Sequence, residues 1–324
     1  MGGDEAPKVP VKGAVEAAQK WKIPIVLVGD ISLIKSELQE YDIASLPISI
    51  RPASQVIGMD EAPAVALRKK KDSSIKVTLE MIKRGEAQAA VSAGSTGAAL
   101  AASILILKTL KGIDRPAIGT VLPTLNGGNT LVLDVGANVD CKPQHLFQFG
   151  VMGHAYAKHV LNKPFPNIGL LSIGEEDSKG NGVTKEAFQL FKKSPMNFSG
   201  NIEGHEIFSG HADVVVCDGF IGNVALKITE STVEWFVSSL KKLFESSWRG
   251  KAAYLLIAKG LEKIKKQLDY AEYGGAPLLG INGVCIICHG RSNSKAIQNA
   301  ILLARTFAQN RVNDHIQEDL AFLH

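Results

Sequence analysis

The feature that most constrains the fold is an alternation of two kinds of segment along almost the whole chain. Short apolar runs rich in β-branched residues alternate with longer segments whose apolar residues recur at helical spacing. This alternation is typical of a parallel sheet covered by helices on both faces. It predicts an α/β protein, a three-layer sandwich, whose ligands bind beyond the carboxyl ends of the strands.

The predicted elements follow from this pattern. Strands are predicted over the short apolar runs Ile25–Val28, Ile48–Ile50, Ala89–Ser92, Thr130–Leu133, Ile168–Ile173, Val214–Val216 and Val284–Cys288. Helices are predicted over the longer periodic segments Val9–Lys20, Ala62–Arg68, Ser74–Lys83, Thr96–Lys108, Gln144–Val160, Thr184–Lys193 and Asn223–Ser246. Neither an internal repeat nor a low-complexity linker divides the chain, so we expect one α/β domain over residues 1–324.

One segment breaks the alternation. Residues 224–270 contain no strand signal, and we expect consecutive helices there, as a helical excursion from the domain. Near its end, an apolar run that includes Leu255 and Leu256 precedes a basic amphipathic helix with Leu261 on its apolar face. Such a helix binds a membrane surface or packs against the domain or a second subunit, and the sequence leaves these alternatives open.

Charge and hydropathy bear on partners and location. The 36 Lys and Arg residues against 32 Asp and Glu give a formal charge of +4, and the basic residues cluster locally, as in Arg68–Lys71 and Lys241–Lys242. Aromatic residues do not interleave with these clusters, which disfavours nucleic acid and leaves an acidic protein, anionic lipid or solvent. No apolar stretch approaches the roughly 20 residues of a membrane span, and the first residues do not resemble a signal peptide. We therefore expect a cytoplasmic protein.

Two patterns resemble haem or metal sites. Cys285–His289 has the spacing of a c-type haem attachment, but Val284–Cys288 is typical of a buried strand. His205 and His211 stand too far apart for the helical pair of a metalloprotease. We therefore expect neither pattern to hold haem or a metal ion.

Glycine and polar residues cluster where predicted strands end. The first such turn joins a strand to a helix through Ser92, Gly94, Ser95, Thr96 and Gly97. Backbone amides at a helix N-terminus attract anions such as phosphate, and the plain alternative is a tight turn with an ordinary cap. The turn has neither the lysine of a Walker A loop nor the spacing of a dinucleotide fingerprint.

Three further turns carry side chains suited to a reaction. Asp134 and Asn138 follow one strand and are candidates to orient a substrate. Lys179 lies among acidic residues and glycine after another strand, where its ammonium suits a phosphate or an oxyanion.

The third of these turns begins at Asp218, and Asn223 is predicted to cap a helix that carries Lys227 in its first turn. No nucleophile elbow is present, and no cysteine has an identifiable neighbouring base. The four turns therefore suit phosphate as a reactant better than a covalent enzyme intermediate.

Several motifs occur in a fixed order along the chain. They are Met1–Asp4 with Ala6–Lys8, Ala66–Arg68 with Lys70–Ser74, Ser92–Gly94 with Thr96–Ala98, Gly112–Ala117, Asp134–Asn138, Asp218–Phe220 with Gly222–Val224, and Tyr273–Ala276. Through them the chain resembles the phosphate acyltransferase (PlsX) family of bacterial phospholipid synthesis over essentially its whole length. Glu5, Ser95 and Ser231 depart from the usual histidine, asparagine and glycine. The family also begins several residues earlier, with a strand that leads into Met1–Asp4 and that this sequence does not contain.

The resemblance implies an isocitrate- or isopropylmalate-dehydrogenase-like α/β fold and a homodimer without metal or cofactor. It implies transfer of a long-chain acyl group from acyl carrier protein to inorganic phosphate. The acyl phosphate then serves a downstream glycerol-3-phosphate acyltransferase, and loose peripheral association with the membrane is expected. Basic clusters would steer the acidic carrier protein to the enzyme.

The resulting hypothesis is direct attack of phosphate on the thioester carbonyl. The Ser92–Gly97 turn holds phosphate, helped by the Asp218–Lys227 segment, with Asp4 as a further substrate contact. Lys179 and Asn223 stabilise the oxyanion or the departing thiolate. His289 or Asp218 manages the proton. The alternatives are a phosphotransacetylase that uses acetyl-CoA and a noncatalytic membrane scaffold that gathers acyl carrier protein.

Overall fold

The computed structural model describes residues 1–245, 247–248, 250, 254, 257–258, 260, 272 and 274–323. The strands are β1 Ile25–Gly29, β2 Ile48–Pro52, β3 Ala89–Ser92, β4 Ala117–Pro123, β5 Asn129–Leu133, β6 Ile168–Leu171, β7 Phe198–Ile202, β8 Val214–Val216, β9 Ala276–Leu279 and β10 Val284–Ile287. The helices are α1 Lys8–Trp21, α2 Ile31–Leu38, α3 Pro63–Lys69, α4 Ser74–Lys83, α5 Thr96–Ile106, α6 Pro143–His159, α7 Gly182–Lys193, α8 Gly219–Glu245, α9 Ser294–Gln309 and α10 Val312–Leu323. A short 3-10 helix spans Gly204–Phe208.

These strands form two sheets. β1 and β2 make a parallel pair, and the other eight strands form one sheet in the order β3-β10-β9-β4-β5-β8-β6-β7. The pairs β10–β9, β9–β4 and β4–β5 are antiparallel, and the remaining neighbours are parallel. The predicted parallel sheet is therefore wrong at its centre. β4 and β5 are joined by only residues 124–128, which is too short for the crossover that a parallel pair needs.

Helices cover both faces of the eight-stranded sheet. Leu131 and Leu133 of β5 belong to a core with α6, α7, α9 and α10, whereas Val132 between them belongs to a core with α3, α4 and α5. The predicted three-layer α/β sandwich is therefore confirmed. Leu226 of α8 packs against the second core, so α5 and α8 lie on the same face of the sheet.

Every predicted strand and helix has a counterpart, with ends that shift by a few residues. The pattern does not predict β4, β7, β9, α2, α9 or α10. β4 contains Gly119 and ends at Pro123, and β9 contains Pro277, so both carry residues that weaken the signal of a strand. β7 is a short, largely polar strand at the edge of the sheet.

The first part of the predicted helical excursion is α8, which ends at Glu245. Leu255, Leu256 and Leu261 lie outside the described residues, and their contact with a membrane or a partner stays a prediction. No helix in the described ranges is both long enough and apolar enough to cross a membrane.

Candidate active site

Strand direction divides the predicted site residues into two groups. Three successive antiparallel pairings separate β10 from β5, so β3 and β10 run opposite to β5, β8 and β6. Their carboxyl ends therefore lie at opposite edges of the sheet. We call the turns after β3 and β10, together with Met1–Asp4, the N-terminal cluster. The turns after β5, β6 and β8 form the central cluster. The predicted parallel sheet implies that both clusters lie at one edge, and that implication is wrong.

The buried carboxylate of Asp134 organises the central cluster. Its Oδ1 accepts a hydrogen bond from the Ile118 N–H at 3.0 Å, and the Ala137 N–H donates to both oxygens at 3.0 and 3.1 Å. Its Oδ2 accepts from the Asn138 N–H at 2.7 Å and from Asn138 Nδ2 at 2.9 Å. Asn138 Nδ2 also donates to the Pro116 carbonyl at 2.7 Å. These bonds tie the loop that follows β5 to the start of β4.

Asp134 and Asn138 are too deeply buried to contact a ligand that binds from solvent. Asp134 is 0% exposed and Asn138 is 8% exposed. We therefore infer that both position the loop, in place of the substrate contact predicted from sequence. Burial raises the pKa of the Asp134 carboxyl, and the N–H donors from Ala137, Ile118 and Asn138 oppose that rise.

Asp218, rather than Asn223, caps α8. Its Oδ1 accepts a hydrogen bond from the Ile221 N–H at 2.9 Å, and the helix begins at Gly219. The predicted cap is wrong because close contact with the Asp134 loop lets the helix begin four residues earlier. A Cβ at Gly222 would lie 1.9 Å from the Asp134 carbonyl oxygen, so only glycine allows this approach.

The helix start leaves Asn223 exposed in the second turn of α8. Its carboxamide lies beside Gly136, whose Cβ, if present, would lie 3.6 Å from Asn223 Oδ1. In the described part of the chain, this carboxamide has no hydrogen-bond partner. Lys227 is also exposed, but its Nζ donates to Glu230 Oε2 at 2.8 Å. Asn223 is therefore the uncommitted polar group at the start of α8.

Lys179 lies in the loop after β6, at the same edge of the sheet as Asn223. Its Nζ is 4.0 Å from Glu176 Oε2, and 47% of its side chain is exposed. The loop is anchored, since Asn201 Nδ2 donates to the Glu176 carbonyl at 2.9 Å and Asn181 caps α7 through the Thr184 N–H at 2.9 Å. The ammonium of Lys179 is thus accessible on a loop that is held in place.

In the N-terminal cluster, the Ser92–Gly97 turn leads from β3 into α5. Ser95 caps the helix, with its Oγ accepting from the Ala98 N–H at 3.3 Å, and Ser92 Oγ accepts from the Gly94 N–H at 3.5 Å. This cap is neutral, whereas the cap of α8 is the carboxylate of Asp218. The N-terminus of α5 therefore keeps more of its positive potential for an external anion.

Asp4 and His289 lie close to this turn. The Cys288 N–H donates to the Ser92 carbonyl at 2.7 Å, and the Asp4 N–H donates to the Gly290 carbonyl at 3.1 Å. His289 is exposed, and its Nδ1 accepts from the Arg291 N–H at 3.2 Å. A neutral His289 therefore carries its proton on Nε2. His289 and Asp218, the two predicted proton carriers, belong to different clusters.

The cysteines do not offer a nucleophile or a haem attachment. Burial raises the pKa of the Cys285 thiol to about 11 and that of Cys288 to about 12. Burial, with the charges of Asp134 and Asp218, raises the pKa of Cys141 to about 12. These thiols stay protonated at neutral pH. Within the described ranges, no group of three or more His, Cys, Asp or Glu side chains is arranged to hold a metal ion.

Sequence reasoning missed His145, which lies in the first turn of α6. Its Nδ1 accepts from the Lys142 N–H at 3.1 Å, and the side chain is buried. Burial lowers the pKa of His145, with Arg115 and Lys142 acting in the same direction and Asp114 opposing them. The proline at the first position of α6 is the local signal that marks His145 as part of a helix start.

Solved structures share this architecture. A phosphotransacetylase from Streptococcus pyogenes superposes with a TM-score of 0.62 at 18% identity, over 92% of this chain and 91% of that one. A 4-hydroxythreonine-4-phosphate dehydrogenase from Klebsiella pneumoniae superposes with a TM-score of 0.54 at 14% identity, over 94% and 95% of the two chains. At these identities the likeness is one of fold.

Sequence comparison identifies the family. A family model described as "Fatty acid synthesis protein" matches residues 1–315. A phosphate acyltransferase from Geobacter sulfurreducens is 53% identical over 320 residues, which cover 99% of this chain and 92% of that protein. One from Syntrophotalea carbinolica is 52% identical over 316 residues, which cover 98% and 91%. The chain therefore belongs to the phosphate acyltransferase family of enzymes.

Proposed function

We propose that this enzyme transfers a long-chain acyl group from acyl carrier protein to inorganic phosphate. The acyl phosphate would then supply a glycerol-3-phosphate acyltransferase in phospholipid synthesis. The observation that carries the proposal is the 53% identity to a phosphate acyltransferase over almost the whole chain. The carrier protein as donor and the pathway go beyond that name, and they rest on the resemblance of the ordered motifs.

The proposed reaction is a direct acyl transfer. A phosphate oxygen attacks the thioester carbonyl carbon and forms a tetrahedral intermediate with a negatively charged oxygen. Collapse of this intermediate breaks the C–S bond, leaving acyl phosphate and the carrier thiolate, which takes up a proton. Protein groups that stabilise the oxyanion or the thiolate lower the barrier, and one such donor is worth about 3–4 kcal/mol.

The N-terminal cluster is the proposed phosphate site. The amides of Thr96 and Gly97 open the helix whose cap, Ser95, is neutral. Asp4 and His289 lie at the same turn. The Nε2–H of neutral His289 can donate a hydrogen bond to phosphate, and Nε2 can accept a proton once Nδ1 releases the Arg291 N–H and takes up the ring proton. This arrangement favours His289 over Asp218 as the proton carrier, because the Asp218 carboxylate is engaged in capping α8.

The central cluster supplies the proposed oxyanion and thiolate contacts. Asn223 offers an uncommitted carboxamide, and Lys179 offers an accessible ammonium at the same edge of the sheet. Joint action with the phosphate turn requires the two clusters, which lie at opposite edges of the sheet, to reach one substrate across the face that α5 and α8 share. We propose that both substrates bind on this face.

The end of α3 is the proposed docking surface for the acidic carrier protein. Arg68 and Lys69 are exposed there, and α3 packs against α5 through Pro63, which lies beside Gly97. Pro63 is the first residue of α3, so a carrier bound at the basic end would lie about 8 Å along the helix from the phosphate turn. Charge reversal at Arg68 and Lys69 should raise KM for the acyl carrier protein, and added salt should weaken the same step in the wild type.

We also propose a homodimer that uses α8. Phe220, Ile228, Trp235 and Leu243 of this helix are 60–69% exposed, which is unusual for large apolar side chains outside an interface. Trp235→Glu should shift the mass measured by light scattering toward the monomer. The peripheral membrane contact through Leu255, Leu256 and Leu261 is tested by liposome flotation, which Glu at these positions should abolish.

The decisive assay supplies phosphate with either palmitoyl-acyl carrier protein or acetyl-CoA and traps acyl phosphate with hydroxylamine. We expect a much higher kcat/KM for the carrier-bound long chain. Preference for acetyl-CoA would favour a phosphotransacetylase, to which the fold is also related. Absence of acyl phosphate with both donors would favour a noncatalytic scaffold.

A further inference from the structure

Arg115 belongs to the motif Gly112–Ala117, which has no part in the proposed reaction so far. It stands two residues before β4, and β4 runs antiparallel to β5, with Gly119 opposite Leu133. The amino end of β4 therefore lies at the carboxyl end of β5, the edge of the sheet that carries the central cluster. In an all-parallel sheet a residue ahead of a strand lies at the opposite edge, so the antiparallel β4 is what brings Arg115 to this cluster.

Two buried amide side chains hold the backbone on either side of Arg115. Before it, Gln148 Oε1 accepts a hydrogen bond from the Asp114 N–H at 3.0 Å, and Gln148 Nε2 donates to the Asp114 carboxylate at 3.3 Å. After it, the Pro116 carbonyl accepts from Asn138 Nδ2 at 2.7 Å. Gln148 is 3% exposed and Asn138 is 8% exposed. The side chains that fix the backbone around Arg115 are neutral and leave its charge in place.

The same contacts connect Arg115 to the start of α8. Asn138, which bonds the residue after Arg115, also accepts a hydrogen bond from the Gly219 N–H at its carbonyl, at 2.7 Å. Asn223 follows Gly219 by four residues, or about 6 Å along the helix. One buried residue, Asn138, therefore joins the backbone that carries Arg115 to the helix that carries the proposed oxyanion donor.

The guanidinium of Arg115 is exposed and is not neutralised by a neighbour. Within the described residues it has neither a hydrogen-bond partner nor an ion pair. Its charge still acts on the segment after β5. Burial lowers the pKa of His145 and Arg115 adds to that effect, whereas burial raises the pKa of Cys141 and Arg115 opposes that rise. A guanidinium donates two parallel hydrogen bonds to phosphate, so an anion of this kind suits the position.

We propose that Arg115 binds a phosphate group of a reactant at the central cluster. This inference rests on the proposed function, in which two reactants carry such a group. One is inorganic phosphate. The other is the thioester donor, because acyl carrier protein and coenzyme A both hold the acyl group on a phosphopantetheine arm. From either source, the anion lies at the edge of the sheet where Lys179 and Asn223 meet the thioester.

The first test measures binding without turnover. Phenylglyoxal modifies accessible arginines, and mass spectrometry follows the rate at each position of the full chain. Inorganic phosphate, or acyl carrier protein with its phosphopantetheine arm, should slow modification of Arg115 about tenfold at ten times its dissociation constant. Arg305, an exposed arginine of α9, is the control and should react at an unchanged rate.

The carrier without its arm separates the two sources of protection. Acyl carrier protein that lacks the arm should leave Arg115 reactive, and equal protection by both forms would assign Arg115 to the surface of the carrier and overturn the proposal. Protection by phosphate or by the arm does not require acyl transfer. A chain that binds these groups but makes no acyl phosphate would therefore refute the proposed function and keep this inference.

The second test separates KM from kcat. Arg115→Gln should raise KM for one reactant about tenfold or more, with a smaller change in kcat. A higher KM for phosphate identifies inorganic phosphate as the ligand, and a higher KM for palmitoyl-acyl carrier protein identifies the arm. Arg115→Lys keeps the charge without the two parallel donors and should recover part of the affinity. Arg305→Gln should change neither KM.

Two results would overturn the proposal. One is modification of Arg115 at an unchanged rate in the presence of phosphate and of the carrier with its arm. The other is an unchanged KM for both reactants in a folded Arg115→Gln protein.

Discussion

The two clusters show how one kind of sequence motif serves two structural purposes. In each cluster, a strand ends in small and polar residues and a helix follows. In the central cluster, the first polar residue is the buried Asp134, which accepts hydrogen bonds from its loop and from β4, while Asn223 and Lys179 are exposed. In the N-terminal cluster, Ser92 and Ser95 make weaker local bonds around a partly exposed turn.

The difference lies in what the strand ends pack against. The loop after β5 lies against both β4 and the start of α8, and N–H groups of β4 and of the loop itself donate to its carboxylate. The turn after β3 instead faces Met1–Asp4 and the turn after β10. A packed cluster fixes the position of a side chain such as Asn223, whereas an open turn leaves amides for a ligand.

The largest expected effect is on activity and comes from the central cluster. Asn223→Ala and Lys179→Ala should each lower kcat for acyl transfer by about 10²- to 10³-fold, because each removes a donor to the oxyanion or thiolate. Lys227→Ala is the matched control on α8, since its ammonium is paired with Glu230, and it should change kcat by less than about threefold. Near-native turnover of folded Asn223→Ala and Lys179→Ala proteins would refute their role as donors to the oxyanion or thiolate.

The second prediction compares a glycine from each cluster by stability. In Gly222→Ala, the new Cβ meets the Asp134 carbonyl oxygen, and we expect a loss of about 3 kcal/mol in the free energy of unfolding. In Gly94→Ala, the nearest atom to the new Cβ is the Met1 carbonyl oxygen at 3.5 Å, an ordinary contact. Urea unfolding should therefore place Gly94→Ala within about 0.5 kcal/mol of the wild type. Equal losses of unfolding free energy in the two variants would mean that the central cluster is not packed more tightly than the N-terminal cluster.

The fold could be predicted further than the site. β3 and β8 have the predicted ends, because their apolar runs are short and bounded by small or polar residues. β9 escapes prediction because Pro277 weakens its strand signal. A local pattern also carries no information on strand direction. The antiparallel pairings made by β4 and β9 reverse the direction of β10 relative to β5, and a prediction that lacks these two strands places both clusters at one edge. The burial of Asp134 depends on contacts with Ile118 and Gly222, which are distant in sequence.

The third prediction tests the N-terminal cluster through Ser95, the cap of α5. Ser95→Ala removes the side-chain acceptor of the Ala98 N–H and should cost about 1 kcal/mol of stability. If the turn holds phosphate, KM for phosphate should rise while kcat changes little. Ser95→Asn keeps a good capping side chain and should restore both properties. A fall in kcat with unchanged KM would instead place the turn at the reacting atoms of the transition state.

The smallest expected effect is the pH dependence of stability that His145 adds near the central cluster. Its pKa in the folded protein lies below the unfolded value of about 6.5, so the unfolded chain takes up the proton first as pH falls. The stabilising contribution of neutral His145 is therefore present above about pH 6.5 and is lost as pH falls toward the lower folded pKa.

His145→Gln keeps an acceptor for the Lys142 N–H but does not titrate in this range. The melting temperature of this variant should fall less than that of the wild type between about pH 7.5 and about pH 5.5. His159, whose pKa burial also lowers, remains in the variant and contributes to the decrease that is left. If the melting temperatures of the two proteins fall equally with pH, the central cluster tolerates a charged His145. The contrast with the N-terminal cluster would then rest on Gly222 and Asp134 alone.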